Sequence, residues 1–322
     1  MNLFSLARRW MQLFREDAVA IREDIVALRA DISDVKMLAA KAITRRVTSE
    51  VDAIALEAAE FRVFSQFGED GILQYLIRRA RIPRELTSFV EFGVEDYSEA
   101  NTRFLLVNDN WRGLIMDAGA ANMAAVRAWP LRWKYDLTIK EAFIDRDNIN
   151  DLIASAGFSG PIGVLSIDID GNDYWVWERI SVIDPIIVVV EYNALFGAAR
   201  AVTVPYDPTF DYARAHHSHL YWGCSLRALE LLAGRKGYAL VGANSAGNNA
   251  FFVRRNYLNG QPELNAAQAY RESRFRISRD SNGYFNFLPR QAQIAEIADM
   301  PLLDIEGGGM TKVRDVILDC LR

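Results

Sequence analysis

Apolar residues change their spacing along this chain, and each spacing predicts a different structure. From Phe14, apolar or small residues recur at Phe14, Ala18, Ile21, Ile25, Leu28, Ile32, Val35, Ala39 and Ala42. The intervals alternate between four and three, which is a heptad seam. No Gly or Pro interrupts before residue 60, and Glu16, Asp17, Arg22, Glu23, Asp24 and Arg29 fill the other faces. A long amphipathic helix is expected, either as a short coiled coil or lying along its own downstream domain. The first fifteen residues carry Arg8, Arg9 and Arg15 and no acid, with Phe4, Trp10, Leu13 and Phe14 among them. They read as a simple helix end or as a foot on a membrane surface.

Beyond residue 60 short apolar runs alternate with amphipathic stretches. Strands are expected at Ser88–Val94, Gly113–Asp117, Arg132–Leu137, Gly163–Asp168, Ile186–Tyr192, Tyr238–Gly242 and Ala250–Arg254. Helices fit at Asp70–Arg81, Glu99–Asn108, Ala120–Trp129, Ile149–Ala156, Tyr174–Ile180 and Ser225–Gly237. The fourth and fifth runs are almost wholly apolar, as in strands covered on both faces. Such alternation predicts an α/β fold with a doubly wound, mostly parallel sheet. The last two strands are joined by the Asn-, Gly- and Ser-rich segment 243–249, which reads as a hairpin. Six parallel strands with a last, antiparallel one inserted is the Rossmann-like class I methyltransferase arrangement. The domain division expected is 1–60 for the helix, 61–255 for the α/β domain and 256–322 for an extension packing on it.

Composition narrows the classes. Apolar residues make up 51% of the 322 and charged ones 25%, the balance of a folded globular protein. The net charge of −5 argues against a basic, duplex-coating nucleic-acid binder. Cys224 and Cys320 lie too far apart in sequence for a CxxC motif or a zinc knuckle. The N-terminus lacks a signal-peptide core and no apolar run reaches membrane-spanning length, so a cytoplasmic protein is expected, with peripheral contact at the inner membrane face if the foot is real.

Ligands of open α/β sheets bind at the carboxyl ends of the strands. The first strand ends Val90-Glu91-Phe92-Gly93-Val94; Gly93 admits close approach, and Glu91 or Glu95 can accept hydrogen bonds from an amino group. Asp117, ending the second strand, suits the two hydroxyls of a ribose. Asp136 and Leu137 offer an acceptor and an apolar wall to an adenine. A nicotinamide dinucleotide needs GxGxxG after the first strand, whereas this chain has Gly93-Val94-Glu95-Asp96-Tyr97-Ser98. Glu95 and Asp96 repel a pyrophosphate and suit a cationic sulfonium nucleoside, S-adenosylmethionine.

The fourth strand leads into Asp168-Ile169-Asp170-Gly171-Asn172-Asp173, and the fifth into Glu191-Tyr192-Asn193. Asp168, Asp170, Glu191 and Asn193 have the chemistry of oxygen ligands to Mg²⁺ or a similar hard cation. The other reading is loop and helix capping by Asp170, Asn172 and Asp173. All three histidines, His216, His217 and His219, cluster after the fifth strand. If that segment is extended, His217 and His219 share a side, and His217 is the first candidate for a general base. The turn at 244–249 offers amides to sugar-like hydroxyls, and Arg271, Arg274, Arg276 and Arg279 offer charge to an anionic group or simply form a solvated face.

The segments Ser65-Gln66-Phe67-Gly68-Glu69-Asp70-Gly71, Phe89–Val94, Gly113–Asp117 and Ser166–Asp173 resemble the FkbM-like S-adenosylmethionine-dependent methyltransferases, especially bacterial relatives in glycan and sugar pathways. The resemblance covers about residues 61–255. It departs in Asp170, where the family usually has Glu, and in Asp96-Tyr97, where a further Gly is frequent. It implies an O-methyltransferase acting on a sugar hydroxyl of a glycan or its precursor. Gln66, Glu91, Gly93 and Glu95 then hold the methionine part, Asp117 the ribose and Asp136 the adenine. His217 takes the proton, and by analogy with macrocin-type enzymes Asp168 and Glu191 bind Mg²⁺. A homo-oligomer joined by the first helix is expected. The contrasting expectation is a catalytically silent scaffold that uses that helix for assembly.

Overall fold

The computed structural model describes residues 3–49, 53–130 and 132–318, with the side chains of 3–9, 13, 14, 16, 317 and 318 outside the description. Phe14, Phe4, Leu13, Arg8, Arg9 and Glu16 thus lie outside it as side chains, as does Cys320 altogether. Helix α1 (Leu3–Ser49) leads into α2 (Leu56–Ala59) and α3 (Glu69–Ala80). The sheet then builds through β1 (Ser88–Phe92), α4 (Arg103–Asp109), β2 (Arg112–Asp117), α5 (Ala120–Arg127), β3 (Leu137–Glu141), α6 (Ile149–Ser155), β4 (Gly160–Ile167), α7 (Asp173–Arg179) and β5 (Ile183–Glu191). After β6 (Val202–Thr203), α8 (Tyr212–Ala215) and α9 (Leu226–Lys236) come β7 (Tyr238–Ala243) and β8 (Asn249–Arg254). The chain closes with α10 (Ala266–Ala269), α11 (Arg290–Glu296), β9 (Pro301–Asp304), β10 (Met310–Lys312) and α12 (Val313–Leu318).

The main sheet has seven strands in the order β3-β2-β1-β4-β5-β8-β7. The pairings among β1 to β5 are parallel, and β8 runs antiparallel between β5 and β7. This is the class I methyltransferase arrangement that the strand pattern predicts. Period-two alternation sends successive side chains to opposite layers. Val90, Leu165 and Val188 pack with Trp177 and Leu229 on one face. Phe89, Val164 and Ile187 pack with Leu73 and Leu106 on the other. Both layers are fully buried, which is why β4 and β5 read as unbroken apolar runs.

One strand departs from expectation. The segment 132–134 is a single 3-10 turn, and β3 starts only at Leu137. Its sequence, LTIKE, is half-exposed because β3 is the sheet edge. A small second sheet, β10-β9-β6, anchors the C-terminal segment. Leu302, Val313 and Val316 pack there with Leu195 and Phe196. Helix α1 packs on the α/β domain toward its C-terminal end, where Ala40 packs with Val63 and Phe104 and Val47 joins the core beside Leu73 and Leu76. No described helix is long and apolar enough to cross a membrane.

Candidate functional site

The carboxyl ends of β1, β2, β4 and β5 open into one cleft of about 580 Å³, lined by Gln66, Glu91, Gly93, Glu95, Asp117, Asp168, Asp170 and Glu191 among others. Eight of the residues expected from sequence therefore meet in one place. Gly93 is required there. Its φ is +73°, and a Cβ would sit 1.4 Å from the Asp168 carbonyl oxygen, so β1 and β4 can come together only over a bare Cα.

The entrance loop is shaped by a buried acid. Asp70 Oδ2 accepts hydrogen bonds from the backbone N–H of Val63, Phe64 and Ser65 at 2.7–2.9 Å. This curls the segment so that exposed Gln66 reaches the cleft. Glu91 is a brace more than a free acceptor. Its Oε1 accepts from Asn101 N–H at 2.8 Å and its Oε2 from Thr102 N–H at 3.1 Å and the Thr102 hydroxyl. Burial raises its pKa against the pull of these bonds.

Asp117 closes β2. Its Oδ1 accepts from Gly119 N–H at 2.7 Å and its Oδ2 from Glu95 N–H at 2.9 Å. One bond per oxygen leaves each with lone pairs for a ligand diol in the cleft. Glu95, Tyr97 and Asp170 all take left-handed backbone conformations, with φ of 46°, 61° and 54°. Such strain in residues other than Gly gathers where function holds the chain against its preference.

At the far end three carboxylates converge. Ile167 of β4 is in register with Val190 of β5, so the next residues, Asp168 and Glu191, emerge side by side. One oxygen each from Asp168, Asp170 and Glu191 lie within 4.8 Å of one another. Glu191 Oε2 is buried and has no hydrogen-bond partner, while its Oε1 accepts from Asn248 at 3.4 Å. Burial, then the charge of Asp170, then that of Asp173, holds Asp168 well above the usual carboxylate range. Burial followed by the charges of Asp168 and Asp170 does the same to Glu191. Asp170 is exposed at the cleft mouth yet hemmed by protein. Desolvation, followed by Asp173, Glu95, Asp117 and Asp211, pushes it up to about 7. Three such oxygen donors around an unpartnered buried atom fit a hard divalent cation. The loop hydrogen bonding falls to Asp173 instead, which accepts from Ile169 and Gly171 N–H, both at 2.9 Å.

Three expectations are corrected. Asp136 lies before β3, at the amino end of the sheet, exposed and 3.8 Å from Arg112. It cannot meet an adenine in the cleft. The residues following β3, Ala142, Phe143 and Ile144, line that wall instead. His217 is also elsewhere: its Nε2 pairs with Glu296 of α11 at 3.0 Å. The segment is not extended, since α8 and a left-handed His219 fold it back. His219 instead packs edge-on against Tyr212, a cleft residue, with centroids 5.2 Å apart. Asn193 turns inward, donating to Leu220 and Trp222 carbonyls at 3.0 Å, so it is no ligand.

Sequence reasoning missed Phe275 and Ile277, which line the cleft from the C-terminal segment. Phe275 stacks on Phe67 with centroids 5.4 Å apart, covering the entrance loop. No local motif marks this pair. In the Asn-rich turn, Asn244 and Asn249 both donate to Glu69 Oε1, and Asn248 and Asn249 also line the cleft. Within the arginine-rich stretch, Arg271 pairs with Glu57, and Arg279 donates to Gly283 and lies over Phe285.

No family model and no curated protein sequence matches the chain. Solved structures resemble it distantly. The CurJ carbon methyltransferase is 11% identical with a TM-score of 0.38, the match covering 58% of this chain and 54% of that one. This chain thus spans about half the length of that relative. An O-methyltransferase from Bacillus cereus, in complex with SAH, is 12% identical with a TM-score of 0.36, covering 68% of this chain and 89% of that one. PKMT2 from Rickettsia typhi, in complex with AdoHcy, is 11% identical with a TM-score of 0.40, covering 61% of this chain and 55% of that one.

Proposed function

We propose that this chain is an S-adenosylmethionine-dependent O-methyltransferase of the FkbM-like kind, acting on a sugar hydroxyl of a glycan or its precursor. The observation that carries this reading is the Asp117 carboxylate, held at the end of β2 by one N–H per oxygen and open to the cleft. The cleft volume of about 580 Å³ is that of a small-molecule site. Its lining is acidic where a dinucleotide needs amides for a pyrophosphate, and acidity suits a cationic sulfonium nucleoside.

When bound, S-adenosylmethionine supplies an electrophilic methyl group. Asp117 holds the ribose, Phe143 and Ile144 wall the adenine, and Gln66 and Glu95 hold the methionine end. Glu91 acts through the segment 101–102 that it pins. The Asp168, Asp170 and Glu191 cluster orients the acceptor hydroxyl, so most of the acceleration comes from positioning. These three residues would also hold Mg²⁺, whose charge would lower the pKa of a nearby hydroxyl. Asp170 is the most open acid of the three, and the departing proton leaves to solvent at that mouth of the cleft.

The test is transfer of radiolabelled methyl from S-adenosylmethionine to cell-envelope glycan fractions. Label is expected in the glycan with the unmutated protein and not with Asp168→Asn. Cofactor binding without transfer to any fraction contradicts the enzyme reading and favours a silent scaffold.

A further inference from the structure

Helix α1 carries two faces with different destinations. Its C-terminal end rests on the α/β domain through Met37, Ala40 and Val47, and Lys36 Nζ donates to Val63 O at 2.8 Å. The heptad seam points elsewhere. Ile21, Ile25, Leu28, Ile32 and Val35 are between 46% and 65% exposed, although they form one continuous apolar line. From Asp17 to Lys36 the helix runs about 29 Å at 1.5 Å per residue. With Ile25 and Ile32 at a and Ile21, Leu28 and Val35 at d, Met37, Ala40 and Val47 fall at f and b, away from the seam. The domain contact therefore leaves the seam bare.

The flanking charges say what covers it. All three g positions beside this stretch, Asp17, Asp24 and Asp31, are acids, and the e positions that follow them, Arg22, Arg29 and Lys36, are bases. In a parallel pair each g residue meets the e residue of the next heptad on the other helix. Asp17 then faces Arg22 of the partner subunit, and Asp24 faces Arg29 of the partner subunit, on both sides of the seam. In an antiparallel pair aspartates meet aspartates and arginines meet arginines. Like charges at such positions act against that pairing. Of the a and d residues, Ile25 with Leu28 is the pair that favours two strands, while the β-branched Ile21 and Val35 at d favour more.

We propose that α1 is a homodimerisation helix: a second copy of this chain covers the seam in a parallel, in-register, two-stranded coiled coil. The arrangement is specified by charge as well as by burial, and it leaves each α/β domain attached through the opposite face. It is independent of what the cleft binds.

Sedimentation equilibrium of the full chain at about 10 µM tests this; a mass twice the chain's 36.4 kDa is expected. Ile25→Asp combined with Leu28→Asp should give monomer, with the thermal unfolding of the α/β domain unchanged because both side chains are exposed. Asp24→Arg alone should weaken dimerisation at least threefold, and adding Arg29→Asp should restore it. Ala18→Cys in a Cys320→Ser background should form a covalent dimer on mild oxidation, since parallel helices place the two residues together. A monomeric full chain overturns the proposal, as does one that instead co-sediments with anionic vesicles. A trimer overturns the two-strand assignment, and a dimer that Ala18→Cys fails to cross-link overturns the parallel one.

Discussion

Replacing Asp117 by Asn removes one negative charge and one of two acceptor oxygens while keeping the side chain's shape. The amide oxygen can stay on Gly119 N–H, which lies 2.7 Å from Oδ1. The amide nitrogen then replaces Oδ2 and confronts Glu95 N–H, the donor that Oδ2 accepts at 2.9 Å. Two losses follow. The unliganded protein gives up one hydrogen bond, worth about 1 kcal/mol. The cofactor gives up one charge-assisted bond to a ribose hydroxyl, worth about 1.5–3 kcal/mol. At about 1.4 kcal/mol per factor of ten, affinity should fall about 10- to 150-fold. Equilibrium dialysis against radiolabelled S-adenosylmethionine measures this, with thermal unfolding confirming that the variant is folded. A folded variant that binds within twofold of the unmutated protein refutes the assignment of Asp117 to the ribose.

Four further outcomes are expected. Gly93→Ala forces a Cβ to 1.4 Å from the Asp168 carbonyl oxygen at φ +73°, so it should cost about 3 kcal/mol or more and show as a lowered Tm or loss of soluble protein; an unchanged Tm contradicts the close β1–β4 approach. Asp168, Asp170 and Glu191 all titrate above their ordinary range in the folded chain, Asp170 at about 7, so the metal-free protein should lose stability as pH rises from about 4 to about 7. The sign follows because the unfolded chain ionises these groups first. Millimolar Mg²⁺ should restore Tm at pH 7.5, and a Tm indifferent to Mg²⁺ and EDTA contradicts the cation site. Asp170→Asn removes one of the crowded charges and should raise the metal-free Tm at pH 7.5 by a few degrees; a fall in Tm opposes the repulsion argument. His217→Ala and Asp136→Ala should leave turnover and cofactor affinity within about twofold, since these side chains pair with Glu296 and Arg112 away from the cleft. A hundredfold loss in either returns that residue to the site.

The sequence was readable where burial is two-sided. β4 and β5 stand out because Leu165 and Ile187 face core in both layers, and strand ends follow directly from such runs. β3 was not readable, because an edge strand needs only one apolar face, and Thr138 and Lys140 on the other resemble a loop. The run Arg132–Leu137 ends where β3 begins, so it sets Asp136 at the amino end of the strand, away from the cleft. The carboxylate cluster was legible through strand register, which a sequence carries implicitly once neighbours are known. Period two holds only while a strand persists: the chain leaves β5 at Glu191, which turns Asn193 inward, and α8 with the left-handed His219 folds the His217 segment back. Phe275 reaches the cleft from beyond the sheet, a contact between distant segments that no local spacing encodes.

Calorimetric titration of the unmutated protein with S-adenosylhomocysteine, and in parallel with NAD, bears most directly on the central claim. The account predicts one micromolar-range site per chain for S-adenosylhomocysteine and no heat with NAD. Binding of NAD, or no binding of S-adenosylhomocysteine, would contradict it.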